Sequence, residues 1–376
     1  MTKPTATKPN FKQTPQKRKA DEMKGTFSFR RGWSFSKYPE LAPLTRLFDI
    51  MTYQRPARSA GEDKFLRRYL DPLMQRTDAW NDSFGNYCVN ILRSDGTSSS
   101  TLFSCHTDMV CTQPNENFEN VLLYDATTVT AQNRSQLGAD DAVGIWLMLE
   151  LIDANVPGLY IFHRDEEIGG QGSRYISNNY VALMKGVERA IAFDRKSTRS
   201  VITAQGCGVC CSTEFATALC SALGMDHIPD DTGVFTDTAN YTEIIPECTN
   251  ISAGYYREHT FDEHLDYRYA LKLRDAVLKV EWDKLPTKRD PSVVDNMSNS
   301  WWSPRVTPLK PKPQVKPSLN ELEEFDNVVD FIRARPFYVA QLLIDPYGMT
   351  LDELEYDYKL YLEDLEDLDE TDKEVL

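Results

Sequence analysis

The chain has 376 residues, of which 41% are hydrophobic and 26% are charged, and its formal net charge is −15. This length and composition are those of a globular protein with one large core or two smaller ones. No run of about eighteen apolar residues occurs, so we expect no membrane span and no membrane partner.

The charge is distributed unevenly along the chain. Residues 1–33 contain nine Lys and Arg against two acidic residues, a net charge of +7, and residues 318–376 contain four against eighteen, a net charge of −14. We expect a disordered basic arm at 1–33, a Pro- and Lys-rich linker at 285–317 and an acidic helical segment at 318–376. Trp301–Trp302 in the linker is a candidate docking anchor. The globular body is then 34–284.

The eight cysteines are irregularly spaced, which does not indicate a disulfide scaffold. Cys207, Cys210 and Cys211 form a CxxCC cluster, but a structural zinc site would need a second pair nearby. We interpret these residues as reduced thiols. Because the N-terminal segment also lacks an apolar signal core, we expect a cytoplasmic protein.

Apolar periodicity predicts alternating helices and strands through the body. Helices are expected at 41–51, 62–75, 140–152, 211–225 and 262–282, and strands at 86–92, 100–106, 158–163, 189–194 and 249–255. This alternation predicts the α/β class, a three-layer αβα sandwich with a mostly parallel mixed sheet.

Acidic residues and histidines lie at or just after the ends of expected strands, or at a helix start, at five places. They are His106 with Asp108, Asp140 with Asp141, Glu166 with Glu167, Asp194, and His259. Ligands of open α/β sheets bind at the carboxyl ends of the strands. Carboxylates that converge there repel one another unless cations neutralise them, and two imidazoles with three carboxylates suit two zinc ions.

In order, the motifs HTD, GADD, DEEIGGQGS, AFD and GYYREHT resemble those of the co-catalytic dizinc exopeptidases, which include peptidase T, carboxypeptidase G and the bacterial leucyl aminopeptidases. The similarity runs from about Leu41 to Trp282, so the resemblance implies a dizinc peptidase-like catalytic domain at 34–284. His163, His227 and His264 lie outside these motifs, and we expect them to be structural.

The resemblance also implies a role for each motif residue. His106 and Asp194 would bind one zinc ion, Glu167 and His259 the other, and Asp140 both. Glu166 would be the general base and acid for a metal-bridging hydroxide, and Asp108 would orient its neighbours. Co²⁺ or Mn²⁺ are candidate substitutes for Zn²⁺. A cis peptide bond is implied between Asp140 and Asp141.

Asp194 and His259 are only 65 positions apart, which leaves no room for the lid domain that larger relatives insert there. An aspartate at position 194 is typical of the aminopeptidase branch and of peptidase T. The sequence therefore favours an aminopeptidase acting on a peptide or small amide. A carboxypeptidase, an N-acyl-amino-acid deacylase and a non-catalytic metal-binding scaffold stay open as alternatives. We do not expect a nucleic-acid partner, and the oligomeric state is open.

Overall fold

A computed structural model describes residues 25–36, 38–132 and 135–293. The expected acidic helical segment, Trp301–Trp302 and most of the expected linker lie outside these ranges. Within them, no helix has the length and apolar character needed to cross a membrane.

The described residues form six α-helices, fifteen β-strands and several short 3₁₀ turns. The helices are α1 (Leu44–Met51), α2 (Ala60–Tyr69), α3 (Ala139–Asp153), α4 (Gln171–Asn179), α5 (Thr213–Leu223) and α6 (Tyr267–Val277). The strands are β1 (Phe27–Phe29), β2 (Ala79–Asn81), β3 (Tyr87–Ile91), β4 (Thr101–His106), β5 (Leu122–Tyr124), β6 (Thr128–Ala131), β7 (Gly158–His163), β8 (Arg189–Arg195), β9 (Ser200–Ile202), β10 (Ala204–Gln205), β11 (Gly208–Val209), β12 (Ile228–Asp230), β13 (Glu247–Ser252), β14 (Tyr255–Tyr256) and β15 (His264–Asp266).

The main sheet has eight strands in the order β12-β9-β13-β8-β4-β7-β3-β2. Its four central strands, β13, β8, β4 and β7, are mutually parallel, while β2 and β3 are antiparallel to their neighbours. The carboxyl ends of the central strands therefore lie along one edge of the sheet.

Both faces of this sheet are covered, because alternate side chains of a strand point to opposite faces. Phe103, Tyr160 and Phe193 belong to the larger core cluster, to which α1, α3, α5 and α6 contribute. Leu102 and Ile161 belong to a second cluster with residues of α4 and of two 3₁₀ turns. The expected fold class, a three-layer αβα sandwich with a mostly parallel mixed sheet, is confirmed. Residues 195–258 add strands and α5 to this sandwich and form no inserted lid.

A second sheet, which the sequence pattern did not predict, has the order β1-β5-β6-β15-β14 and is antiparallel. Two expectations change with it. Phe27–Phe29 form β1 inside the segment 1–33 that we expected to be disordered, because an aromatic strand pairs with β5. The helix expected at 262–282 begins only at Tyr267, where Asp266 accepts a hydrogen bond from the Tyr269 amide as its N-cap. His264–Asp266 form β15 instead.

The beginning of the expected linker at 285–317 is also part of the body. The fully buried Arg189 guanidinium donates to the carbonyl of Leu285 at 3.1 Å. The buried Glu247 carboxylate accepts hydrogen bonds from the amides of Lys288 and Arg289, and from the amide and hydroxyl of Ser212. The body therefore extends at least to Arg289, because the backbone amides of Lys288 and Arg289 donate to the buried Glu247 carboxylate.

Replacing Glu247 by alanine should lower the free energy of unfolding by about 3 kcal/mol, because four partly buried hydrogen bonds to one charged acceptor are lost. Chemical denaturation of the full chain measures this change. Glu243→Ala, at an exposed acidic residue four positions earlier, is the matched control and should change stability by less than about 0.5 kcal/mol. Equal stability of the two variants would contradict the anchoring role of Glu247.

Candidate metal centre

The carboxyl ends of the central strands hold most of the predicted site residues. His106 is the last residue of β4, and Asp194 is the penultimate residue of β8. Glu166 and Glu167 follow β7 in a turn where the amides of Gly169 and Gly170 donate to the Glu166 carbonyl. Parallel pairing of β4 with β7 and β8 is what brings these separate chain segments together.

The other two predicted ligands come from outside these strands. Asp140 lies at the start of α3, and its peptide bond to Asp141 is cis, as the resemblance implies. His259 lies in the connection between β14 and β15, so the second sheet delivers it to the site. The main sheet alone, which is all that the sequence pattern predicts, does not explain why His259 lies at the site.

Asp140 lies between the two histidines. Its Oδ1 atom is 3.0 Å from His106 Nε2, and its Oδ2 atom is 3.3 Å from His259 Nε2. Asp194 Oδ1 is 3.6 Å from His106 Nε2, and Glu167 Oε2 is 3.1 Å from His259 Nε2. The five side chains therefore form two groups that share one carboxylate.

Within the described ranges, three groups of side chains have potential ligand atoms within 4.8 Å of one another. They are His106 with Asp140 and Asp194, Asp140 with Glu167 and His259, and His106 with Glu166 and Glu167. Cysteines occur in none of them. The first two groups contain nitrogen and oxygen donors, which is a donor set that zinc accepts.

The carboxylates change one another's acidity. Desolvation and the charge of Asp140 raise the pKa of Asp194 to about 7. Desolvation, together with the charges of Asp194 and Glu167, raises the pKa of Glu166 well above its usual range. Although desolvation opposes it, contact with Glu167 and Asp140 raises the pKa of His259 to about 12. These shifts have the excess of negative charge as a common cause, and divalent cations would offset that charge.

Asp108 is fully buried and braces the site. Its carboxylate oxygens accept hydrogen bonds from the amides of Glu166, at 3.1 Å, and Glu167, at 3.2 Å. Its Oδ1 atom is also 3.5 Å from His106 Nδ1. Asp108 thus contacts both a histidine and the glutamate turn, and its role in orienting these neighbours stays a prediction.

Glu263, which sequence reasoning missed, holds the segment that carries Asp140. Its buried carboxylate accepts hydrogen bonds from the amides of Gly138 and Ala139 at 2.9 and 2.8 Å, and from the Asp140 amide at 3.3 Å. The fully buried Arg55 donates to the Gly138 carbonyl at 3.1 Å. Glu263 lies only four residues after His259, but the sequence pattern places it in the first turn of a helix at 262–282, where an acidic side chain is usually solvated, so no sequence signal singled it out.

Two arginine–carboxylate pairs support the glutamate turn. Arg58 Nε lies 2.9 and 2.8 Å from the two carboxylate oxygens of Asp165, the acidic residue of the DEE triplet that is not a predicted ligand. Arg164 donates to Glu62, which is fully buried and also accepts from the Thr107 hydroxyl. Glu62 was missed as well, because its helical spacing predicts only a solvated face.

Further residues fall into structural positions. The Tyr255 hydroxyl donates to Asp194 Oδ1 at 3.0 Å, whereas the Tyr256 ring stacks on His264. His163 is fully buried beside the Tyr241 hydroxyl, and His227 contacts the hydroxyl of Tyr269. These contacts place the three remaining histidines outside the two groups that share Asp140.

No family model matches the chain, and no curated protein matches it. Among solved structures, it is similar to aminopeptidase PepT from Bacillus cereus, with a TM-score of 0.52 and 11% identity over 65% of this chain and 98% of that one. It is also similar to a tripeptidase from Staphylococcus aureus subsp. aureus Mu50, with a TM-score of 0.50 and 11% identity over 65% and 98%. The chain therefore has the fold of these two peptidases.

Glu263→Ala should destabilise the protein by about 2 kcal/mol or more, because backbone amides next to Asp140 lose their buried acceptor. Thermal or chemical denaturation provides the measurement. Asp262→Ala, at the exposed neighbouring carboxylate, should have little effect. Indistinguishable stabilities of the two variants would show that these amides do not depend on Glu263.

Proposed function

We propose that this chain is a dizinc metallohydrolase that cleaves peptide bonds, and specifically an aminopeptidase. The observation that carries the proposal is the position of Asp140 between His106 and His259, with one oxygen facing each imidazole. Asp194 and Glu167 complete the two groups. A carboxylate shared between two groups of ligands is the arrangement that a pair of ions about 3.5–4 Å apart requires.

The side chains fit zinc. His106 and Asp194 would hold one ion, Glu167 and His259 the other, and Asp140 both. The His259 Nε2 atom is buried and faces the carboxylates of Asp140 and Glu167 at 3.3 and 3.1 Å, so a cation held by these carboxylates would also reach this nitrogen. The His106 ring is oriented through its other nitrogen, because its Nδ1 atom lies 3.2 Å from the Asp108 carbonyl oxygen. Co²⁺ and Mn²⁺ accept similar donors, so we propose zinc with these ions as substitutes.

Two zinc ions, when bound, would acidify a water molecule and polarise the carbonyl of the scissile bond. The chain's own contribution is proton transfer by Glu166. Its side chain lies within 4.8 Å of one residue from each group, His106 and Glu167, without being needed as a ligand in either, so it is available to accept a proton. Glu166 takes the proton of the attacking water and passes it to the leaving amine. Asp108 keeps Glu166 in place through the backbone amide.

Three observations favour an aminopeptidase within this class. The similar structures are named as an aminopeptidase and a tripeptidase. The fourth ligand is aspartate, which by resemblance is typical of the aminopeptidase branch. Residues 195–258 form part of the sandwich instead of a lid domain. A peptide substrate would therefore approach an edge of the sheet that no inserted domain covers.

Glu166→Gln should keep two bound zinc ions per chain while lowering the rate of peptide hydrolysis by about 10²–10⁴-fold, because it loses the proton carrier but no ligand. Metal analysis and turnover of a broad peptide library measure the two properties separately.

The control is Glu243→Gln, at an exposed acidic residue, which should leave both properties unchanged. Two bound zinc ions with no Glu166-dependent hydrolysis by the unmodified protein would instead favour the non-catalytic scaffold. Asp140→Asn should reduce metal content in the same analysis.

An aminopeptidase should hydrolyse aminoacyl anilides and leave N-acetylated amino acids intact, because it requires a free terminal amine. The two substrate types can be compared under identical conditions with zinc-loaded protein. Faster release from the N-acetylated amino acid would contradict the aminopeptidase assignment and favour a deacylase.

A further inference from the structure

Large apolar side chains are exposed beside the glutamate turn. Ile168 directly follows Glu167 and is 50% exposed. Val234 and Phe235, in the loop after β12, are 63% and 39% exposed. Leaving such side chains in water forgoes about 1.5–3 kcal/mol each relative to full burial. Exposed apolar residues next to a polar site are therefore candidates for contact with a ligand.

Phe235 lies directly against the glutamate turn. A Cβ atom added to Gly170 would lie 2.5 Å from Phe235 Cζ, so the ring occupies the space that the glycine leaves. The Gly170 amide donates to the Glu166 carbonyl at 2.8 Å. The segment after Phe235 is tied to the same turn, because the Asn240 side-chain amide donates to the Gly170 carbonyl at 3.2 Å.

The loop that carries Phe235 is also held on its other side. The Gly206 amide donates to the Val234 carbonyl at 2.7 Å, and the Gly233 amide donates to the Ala204 carbonyl at 3.1 Å. Thr236, the next residue, is buried. Phe235 is thus exposed on a loop whose backbone is hydrogen-bonded on both sides. Its ring packs against Gly170, whose amide donates to the Glu166 carbonyl.

We propose that Phe235 and Ile168 form an apolar subsite that receives a bulky apolar side chain of a residue flanking the scissile bond. This subsite rests on the proposed peptidase function. Ile168 adjoins a predicted metal ligand, and Phe235 contacts the turn that carries the predicted proton carrier. A side chain that covers both would be adjacent to the bond under attack. The substrate class is therefore peptides with leucine- or phenylalanine-like residues at that position.

The test compares two dipeptide series, X-Ala and Ala-X, with X either leucine or serine. For one series, zinc-loaded unmodified protein should show a higher kcat/KM with leucine. In Phe235→Ser this preference should fall about tenfold or more, since an apolar pocket discriminates by roughly 10–200-fold. Phe235→Leu should restore most of the preference. The series that responds identifies which flanking residue occupies the subsite.

The control is Ile228→Ser, because Ile228 is an equally exposed apolar residue on edge strand β12. It should leave the preference unchanged. Circular dichroism and melting temperature establish that each variant is folded. An unchanged leucine preference in folded Phe235→Ser, in both series, would overturn the subsite.

Peptide binding separates this proposal from the proposed function. Calorimetry with zinc-loaded Glu166→Gln measures the affinity for the same dipeptides without requiring turnover. Tighter binding of the leucine peptides that disappears in Glu166→Gln/Phe235→Ser supports the subsite, even if the unmodified protein hydrolyses nothing. Equal binding of leucine and serine peptides would overturn the subsite and leave the proposed function untouched.

Discussion

Repulsion among the carboxylates at the carboxyl edge of the main sheet is the constraint on which the rest of the site depends. Asp140, Glu167 and Asp194 lie within a few ångströms of two imidazoles in a largely desolvated position. Without compensation, these like charges would drive the strand ends apart. The raised pKa values of Asp194 and His259 have this crowding as a common cause, and bound dications would relieve it without neutralising the ligands.

Hydrogen bonds around these side chains hold the segments that carry the predicted ligands in place against this repulsion. Backbone amides contact Asp108 and Glu263, and each of these carboxylates holds a chain segment that carries a predicted ligand. Arg55 is buried beneath the same region and donates to the Gly138 carbonyl. The ligands are therefore supported from segments remote in sequence, which limits how far any one of them can move.

The second sheet explains how the site is completed without a lid domain. His259 lies between β14 and β15, and the same sheet includes β1 near the beginning of the described chain. Phe235 and Ile168 are exposed beside the glutamate turn, so the proposed apolar subsite adjoins the proposed metal centre.

The fold class and the meeting of His106, Glu166 and Asp194 at one edge of the sheet could be predicted from sequence, because they depend on local patterns. Buried strands such as β7 and β8 are continuous apolar runs, and a polar residue at the end of each marks the carboxyl edge of a parallel sheet. The resemblance added the roles of His106 and Glu166, which periodicity alone does not distinguish from structural residues.

Pairing between distant segments could be decided only in three dimensions. The strands β1 and β15 are three residues each, too short for a sequence period to identify, and they exist because β5 and β6 provide partners. Burial of Glu263 and the exposure of Phe235 depend in the same way on which loops meet at the site. Sequence records the chemical type and order of these residues, whereas packing determines which carboxylate is desolvated and which aromatic ring is exposed beside the site.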